Sequence, residues 1–184
     1  GKLELEKVQM DIEPLIEEVL AMHAPEAHRK HLHLLGLVYD DVPQRFEGDP
    51  LRIKQVVTNL VANAVKFTER GEVIVRVMVD DLSGSNTRLK IAVADTGIGM
   101  DDRELEIALS RFGQVGNHMT REHQGTGLGL PLAVELAKIH GASVHVTSEK
   151  NAGTRVAVNF PEARVINADQ ALATRRTDRQ KATA

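Results

Sequence analysis

There is no cysteine in these 184 residues and no tryptophan. The first absence excludes disulfides, cysteine-ligated zinc and thiol catalysis together, and it removes redox chemistry as a guide to compartment. The second, with only four Phe and one Tyr, means that the core must be aliphatic. Long apolar runs are missing too. Nothing approaches the ~20 residues a membrane-spanning helix needs, and Gly1-Lys-Leu-Glu-Leu-Glu-Lys7 lacks the apolar centre of a signal peptide. No direct membrane contact is expected of these residues, and any anchor must lie outside them. A net charge of −3 supplies no field that would draw the chain to nucleic acid.

Two phosphate-binding patterns are absent as well. No Gly-x4-Gly-Lys-Ser/Thr run exists, so there is no Walker loop. The dinucleotide fingerprint Gly-x-Gly-x-x-Gly also fails, because Gly129 is followed by Leu130-Pro131-Leu132. No Ser-His-Asp order or paired-carboxylate signature stands out either.

What is present reads as one mixed α/β domain. Apolar residues at Ile12, Leu15, Ile16, Val19, Leu20 and Met22 predict a helix from Ile12 to about Arg29. Residues 1–10 read as a connector or the frayed end of a preceding helix. His31 to Val42 is β-like, and a short strand around Arg45-Phe46-Glu47 could pair back with it. Asp49-Pro50 is a helix start, with the Asp accepting from open N–H groups and the Pro having none to leave unpaired. That helix is predicted to reach about Phe67. Glu72 to Asp80 and Thr87 to Asp95 form a hairpin, and Asp101 to Ser110 a short helix capped by Asp101. Leu128 to His140 makes a further helix closed by Gly141, and Ala142 to Ser148 with Gly153 to Phe160 a last hairpin. Residues 113–126 read as a long loop. The stretch after Pro161 is poor in core-forming residues and is expected to be disordered. The order suggests a mixed, mainly antiparallel sheet with helices on one face.

Three constellations carry chemistry. On the helix ending at Phe67, Arg52, Asn59, Asn63 and Lys66 share a stripe at i, i+7, i+11 and i+14, beside the buried positions Ile53, Val57, Leu60, Val61 and Ala64. An Asn carbonyl is a hard oxygen ligand suited to Mg²⁺, and Lys66 is a point charge for phosphate. A solvated polar face gives the same stripe. In Lys90-Ile-Ala-Val-Ala-Asp95, the period of two puts Asp95 on the face of Ile91 and Val93. A carboxylate there needs a partner, which an exocyclic amine of a nucleobase could be. Gly97 and Gly99 let backbone approach a flat ligand, though an Asp ending a strand in a turn reads similarly. Gly125-Thr-Gly-Leu-Gly-Leu130 opens a helix and exposes N–H groups to an anion, or is only a hinge. His28, His31 and His33 straddle a helix-to-strand change with no carboxylate at ligand spacing, which argues against a metal site.

In this order the motifs resemble the catalytic and ATP-binding domain (CA, HATPase_c) of sensor histidine kinases, in the GHKL superfamily. Asp49 to Thr68 resembles its N box, Asp95 to Gly99 its G1 box, Arg111-Phe-Gly-Gln114 its F box and Gly125 to Leu130 its G2 box. The opening Gly-Lys-Leu-Glu-Leu and Leu37-Val-Tyr-Asp-Asp-Val-Pro43 are most similar to hybrid kinases of the BarA/GacS type. The resemblance covers about residues 11–161. It implies a two-layer α/β sandwich of the Bergerat type with ATP between the layers. The ATP-binding set would be Asn59, Asn63, Lys66, Asp95, Gly97, Ile98, Gly99, Phe112, Gly125, Thr126, Gly127, Leu128, Gly129, Leu130 and Thr154. Within it Asn63 would bind Mg²⁺, Asn59 would support the metal–phosphate region and Asp95 would accept from the adenine amine. Lys66 and Arg121 would contact phosphate, and residues 113–124 would be an ATP lid with Phe112 at its base.

Leu109, Ala142 and Asn151 depart from the pattern, and none touches nucleotide chemistry. Asn151 is the non-glycine residue best suited to a left-handed turn. None of the eight histidines lies in a His-Glu-x-Arg-Thr-Pro-like context. The phosphate acceptor is thus expected on separate dimerisation helices, with a response-regulator receiver domain downstream. The resemblance places the domain in the cytoplasm, its parent anchored in a bacterial inner membrane. A GHKL regulatory module, anti-sigma-like or pseudokinase, is the alternative. A gyrase-type ATPase is disfavoured, because Asn59 stands where that class has an acidic base.

Overall fold

The computed structural model describes residues 5–42, 45–81, 87–110 and 129–161. In chain order the elements are β1 Val8–Met10, α1 Ile12–Arg29, β2 His33–Val38, β3 Phe46–Gly48, α2 Pro50–Phe67, β4 Glu72–Asp81, β5 Thr87–Asp95, α3 Asp102–Leu109, α4 Gly129–Ile139, β6 Ser143–Glu149 and β7 Gly153–Phe160. The F box, the residues 113–124 and the stretch after Pro161 lie outside the described residues.

One five-stranded sheet has the order β2-β4-β5-β7-β6, parallel at β2–β4 and antiparallel elsewhere. The helices α1, α2 and α4 cover one of its faces. This is the mixed, mainly antiparallel α/β sandwich that the motif order predicts. Strand alternation sends Val73, Val75, Val77, Leu89, Ile91, Val93, Val156 and Val158 to the covered face, all of them buried. From the other side α2 contributes Ile53, Val56, Val57, Leu60, Val61, Ala64 and Val65. Full burial of each Val, Leu or Ile is worth about 1.5–3 kcal/mol. This helix is therefore held by its apolar stripe.

Local chemistry explains the helix limits. The Asp49 carboxylate caps α2 by accepting from Arg52 N at 3.1 Å, with Pro50 in the first turn. The Asp101 carboxylate accepts from Glu104 N while Glu104 returns a bond to Asp101 N, a reciprocal capping box on α3. Asn151 takes φ +65° in the β6–β7 turn, the left-handed geometry its side chain tolerates best.

Two sequence expectations are corrected. The strand at Phe46–Gly48 does not pair back with β2; it pairs antiparallel with Val8–Met10, in the stretch read as a connector or helix end. With Phe46 buried under the core and bonded in register to Met10, a two-stranded clip outcompetes the local hairpin. The β-like run from His31 to Val42 is also shorter, His33–Val38, because His31 adopts φ +56° and is still part of the helix-ending turn.

A buried histidine joins two layers. His140 is 1% exposed and stands edge-on to Phe160, which in turn stands edge-on to Phe46. Asp49 N–H donates to His140 Nε2 at 3.4 Å, so Nδ1 carries the proton and donates to Leu136 O at 2.9 Å. The end of α4 is thereby tied to the start of α2. Replacing His140 with Ala removes a buried ring and leaves the Asp49 N–H without its acceptor. Denaturant melts should show a loss of about 2–4 kcal/mol; a loss below about 1 kcal/mol would mean the tie contributes little.

Candidate functional site

The site grows from the place where β5, β7 and the end of α2 meet. Asp95 ends β5 in register with Thr154 of β7 and Val73 of β4. Its side chain continues the covered face of Ile91 and Val93, as the alternation requires. Oδ1 accepts from Gly97 N at 2.8 Å and from Thr154 N at 3.3 Å. Among the described residues no donor reaches Oδ2. Burial raises the Asp95 pKa above the ordinary carboxylate value, and the two backbone N–H groups offset only part of that. An acceptor oxygen is thus presented, half-buried and incompletely satisfied.

The turn after Asp95 is packed against the last residue of α2. Ile98 N–H donates to Phe67 O at 3.2 Å, and a Cβ at Gly97 would collide with that same carbonyl. Only glycine permits so close an approach. Asn151 N–H donates to Ile98 O at 2.7 Å, which ties the turn to the β6–β7 hairpin. Ile98 itself is 43% exposed, an apolar surface beside the carboxylate.

Along α2, Asn59, Asn63 and Lys66 are all half-buried, on the stripe beside the core. Asn59 Nδ2 is buried with no hydrogen-bond partner among the described residues. Asn63 faces Gly129, the first residue of α4: a Cβ there would lie 3.2 Å from Asn63 Nδ2 and 3.4 Å from Oδ1. The glycine therefore lets α4 begin directly against the amide. Lys66 Nζ lies 5.0 Å from the centre of the Phe67 ring. Burial lowers its pKa, with the charge of Lys30 contributing second.

These positions test whether Mg²⁺ would fit. No group of three or more His, Asp or Glu side chains able to hold a metal occurs among the described residues. A protein-only cage is therefore not what the site offers. One or two amide oxygens beside a lysine suit a hard cation that keeps its water and phosphate ligands. The orphaned amide of Asn59 supports a polar ligand in this place.

The structure thus sets Asp95, Gly97, Ile98, Gly99 and Thr154 around the turn that meets the end of α2 next to Lys66, while Asn63, one turn earlier on that helix, faces Gly129, with Asn59 a further turn back. Phe112, Arg121, Gly125, Thr126, Gly127 and Leu128 lie outside the described residues. His28, His31 and His33 are exposed, and among the described residues none of them belongs to a group of three His, Asp or Glu side chains.

One contributor had no signal in the sequence. Ser148 Oγ accepts from Met100 N at 2.8 Å, donates to Gly153 O at 3.1 Å and lies 2.8 Å from Thr154 Oγ1. It holds the far wall of the Asp95 turn. A lone Ser late in a strand is unremarkable until the register places it beside Thr154.

Comparison with known proteins identifies the family and the fold. Residues 48–164 match the model of the "Histidine kinase-, DNA gyrase B-, and HSP90-like ATPase" family. The sensor protein GacS of Pseudomonas syringae pv. syringae is 38% identical over 166 residues, 89% of this chain and 18% of that protein. The histidine-protein kinase BarA of Escherichia coli K12 is 36% identical over 154 residues, 84% of this chain and 17% of that protein. The chain thus spans less than a fifth of the length of these relatives. Full-length ShkA, solved with AMPPNP, superposes with a TM-score of 0.73 at 30% identity, over 88% of this chain and 32% of its own. The catalytic domain of the histidine kinase ThkA shares the fold, with a TM-score of 0.69 at 24% identity over 85% of this chain and 98% of its own. The chain belongs to the histidine kinase-, DNA gyrase B- and HSP90-like ATPase family, as an ATP-binding domain of the kind found in sensor histidine kinases.

Proposed function

We propose that this domain holds Mg-ATP and acts as the phosphoryl donor of a two-component protein-histidine kinase. The acceptor histidine would sit on dimerisation helices and the phosphate would pass on to a receiver domain. The single observation that carries the reading is the incompletely satisfied carboxylate of Asp95, set across a glycine turn from the Asn59–Asn63–Lys66 stripe. The limits proposed for the ATP-binding unit are residues 11–161, with the β1 strand attached.

In this reading the exocyclic amine of adenine donates to Asp95, while Gly97, Ile98 and Gly99 border the base and Thr154 backs the carboxylate. The Asn63 carbonyl, supported by Asn59, would hold the Mg²⁺, which when bound neutralises phosphate charge. Lys66 meets phosphate oxygens. Gly127 and Gly129 would meet the triphosphate through their backbone N–H groups, and Arg121 and Phe112 would complete the set. Transfer forms a P–N bond to the incoming imidazole and breaks the bond from the γ-phosphorus to the bridging oxygen, releasing ADP. Catalysis of such a step is mostly positioning and charge neutralisation. The base that takes the imidazole proton would come from the acceptor's helices. Hydrolysis is a lesser outcome, since Asn59 cannot deprotonate water.

Asp95→Asn separates function from stability by sign. Burial raises the Asp95 pKa, so ionisation opposes folding of the free domain, and stability is gained as pH falls through that raised pKa. The amide removes this cost while its oxygen can still accept from Gly97 and Thr154. The free variant should melt no lower than the parent, yet bind Mg-ATP at least tenfold (~1.4 kcal/mol) more weakly by calorimetry. A variant that melts lower and binds normally would overturn the assignment.

Affinity of the parent should also decline on acidification, beginning at a higher pH than an ordinary aspartate would give. Asn63→Asp should weaken ATP binding at least tenfold in Mg²⁺ and alter the Mg²⁺ concentration that half-saturates the effect. Finally, labelled ATP mixed with the isolated chain should leave little label on it. Addition of a protein bearing a sensor-kinase histidine helix pair should yield acid-labile phosphohistidine. Rapid stoichiometric self-labelling of the chain alone would contradict the division of labour, and no transfer despite tight binding would favour a regulatory binding module.

A further inference from the structure

Helix α2 ends at Phe67, and the last carbonyls of a helix have no partner within it. Here each one has a donor. Thr68 N–H and Thr68 Oγ1 both donate to Ala64 O, at 3.1 and 2.7 Å. The Lys30 ammonium donates to Val65 O at 2.8 Å, to Lys66 O at 2.8 Å and to Thr68 O at 3.3 Å. The one carbonyl it passes over, Phe67 O, receives the Ile98 N–H of the Asp95–Gly99 turn.

We propose that Lys30 is a positioning residue for the nucleotide site. Its ammonium clamps the end of α2 and so fixes Lys66 and the Phe67 carbonyl relative to the Asp95 turn. The proposal deepens the Mg-ATP reading and rests on it for the ligand.

Three features make the clamp specific. Lysine has three N–H donors on one point charge, and all three are used on converging carbonyls. A cation at a helix C-terminus meets the negative end of the helix dipole. Lys30 is also the residue that closes α1, its own N–H donating to Glu26 O at 3.2 Å, so its backbone is held. The clamp therefore joins the end of α1 to the end of α2, 35 residues further on. Its positive charge also adds to the pressure that lowers the Lys66 pKa, so the two ammonium groups sense each other across the helix end. An anionic triphosphate would relieve that repulsion.

A second α1–α2 link supplies the control. Lys54 near the start of α2 pairs with Glu18 of α1, at the opposite end from Lys66. Lys30→Met and Lys54→Met would be compared with the parent in two measurements well below their melting temperatures. The measurements are Mg-ATP affinity by calorimetry and hydrogen exchange at the Ile98 amide by NMR. Lys30→Met should bind at least fivefold more weakly and exchange the Ile98 amide at least fivefold faster, with β4 and β5 amides unchanged. Lys54→Met should stay within twofold on both. Should Lys30→Met not fold, Lys30→Arg, whose planar fork suits converging carbonyls poorly, should show both shifts by at least twofold.

Unchanged Ile98 exchange in the Lys30 variant would overturn the clamp, whether or not nucleotide binds. Unchanged affinity, or an equal loss in Lys54→Met, would overturn its link to the site. Failure of the parent itself to bind Mg-ATP would instead strike the functional reading and leave the exchange test standing.

Discussion

The hydrogen bond from Ile98 N–H to Phe67 O is the joint on which the site depends. On one side of it is a helix seated by a wholly apolar stripe; on the other is a turn that carries a carboxylate out of a buried strand face. Neither element alone could recognise a nucleotide. The helix offers amides and an ammonium with nothing to set their distance from a base. The turn offers a carboxylate with nothing to say where phosphates would lie. One backbone contact, close enough to demand glycine at position 97, turns two local features into one site.

Burial of Asp95 has an energetic consequence. The other buried core positions on β5 and β7 are all apolar, and a carboxylate among them raises the free energy of the unliganded fold. Two backbone donors lessen the penalty without removing it. A site built in this way is less stable empty than an apolar version of itself would be, and a ligand that donates to the carboxylate recovers the difference. Asn59 adds to this cost, since its amide nitrogen is buried without a hydrogen-bond partner among the described residues. Stability withheld at these two residues is available to binding.

Most of this architecture is legible in the amino-acid sequence, for reasons that lie in particular residues. The limits of α2 follow from Asp49-Pro50 at one end and the exhausted apolar stripe at the other, both local. The β4–β5 and β6–β7 hairpins follow from alternation with turn residues between, again local. What could not be read involves long separation or short elements. The partner of Phe46–Gly48 has no signature in the sequence, because three residues specify almost no register and β2 is nearer along the chain than β1. Ser148 and Lys30 act through bonds to backbone, which leaves no residue pattern at the receiving end. A lysine that donates to carbonyls of any sequence has no complementary partner to search for.

That last point bears on how such domains can vary. Contacts made to backbone survive substitution of the residues they touch, so Val65, Lys66 and Thr68 could change their side chains without releasing Lys30. The reverse is not true. Losing one lysine leaves three carbonyls at a half-buried helix end to find water or other donors, each at a cost of about 1–3 kcal/mol if unmet. The constraint on the proposed site is thus concentrated in two donors, Lys30 and the Ile98 amide, rather than spread over the residues nearest the ligand. The groups that hold the end of α2 have far less freedom, because in the proposed site the base end and the phosphate end would both be measured from it.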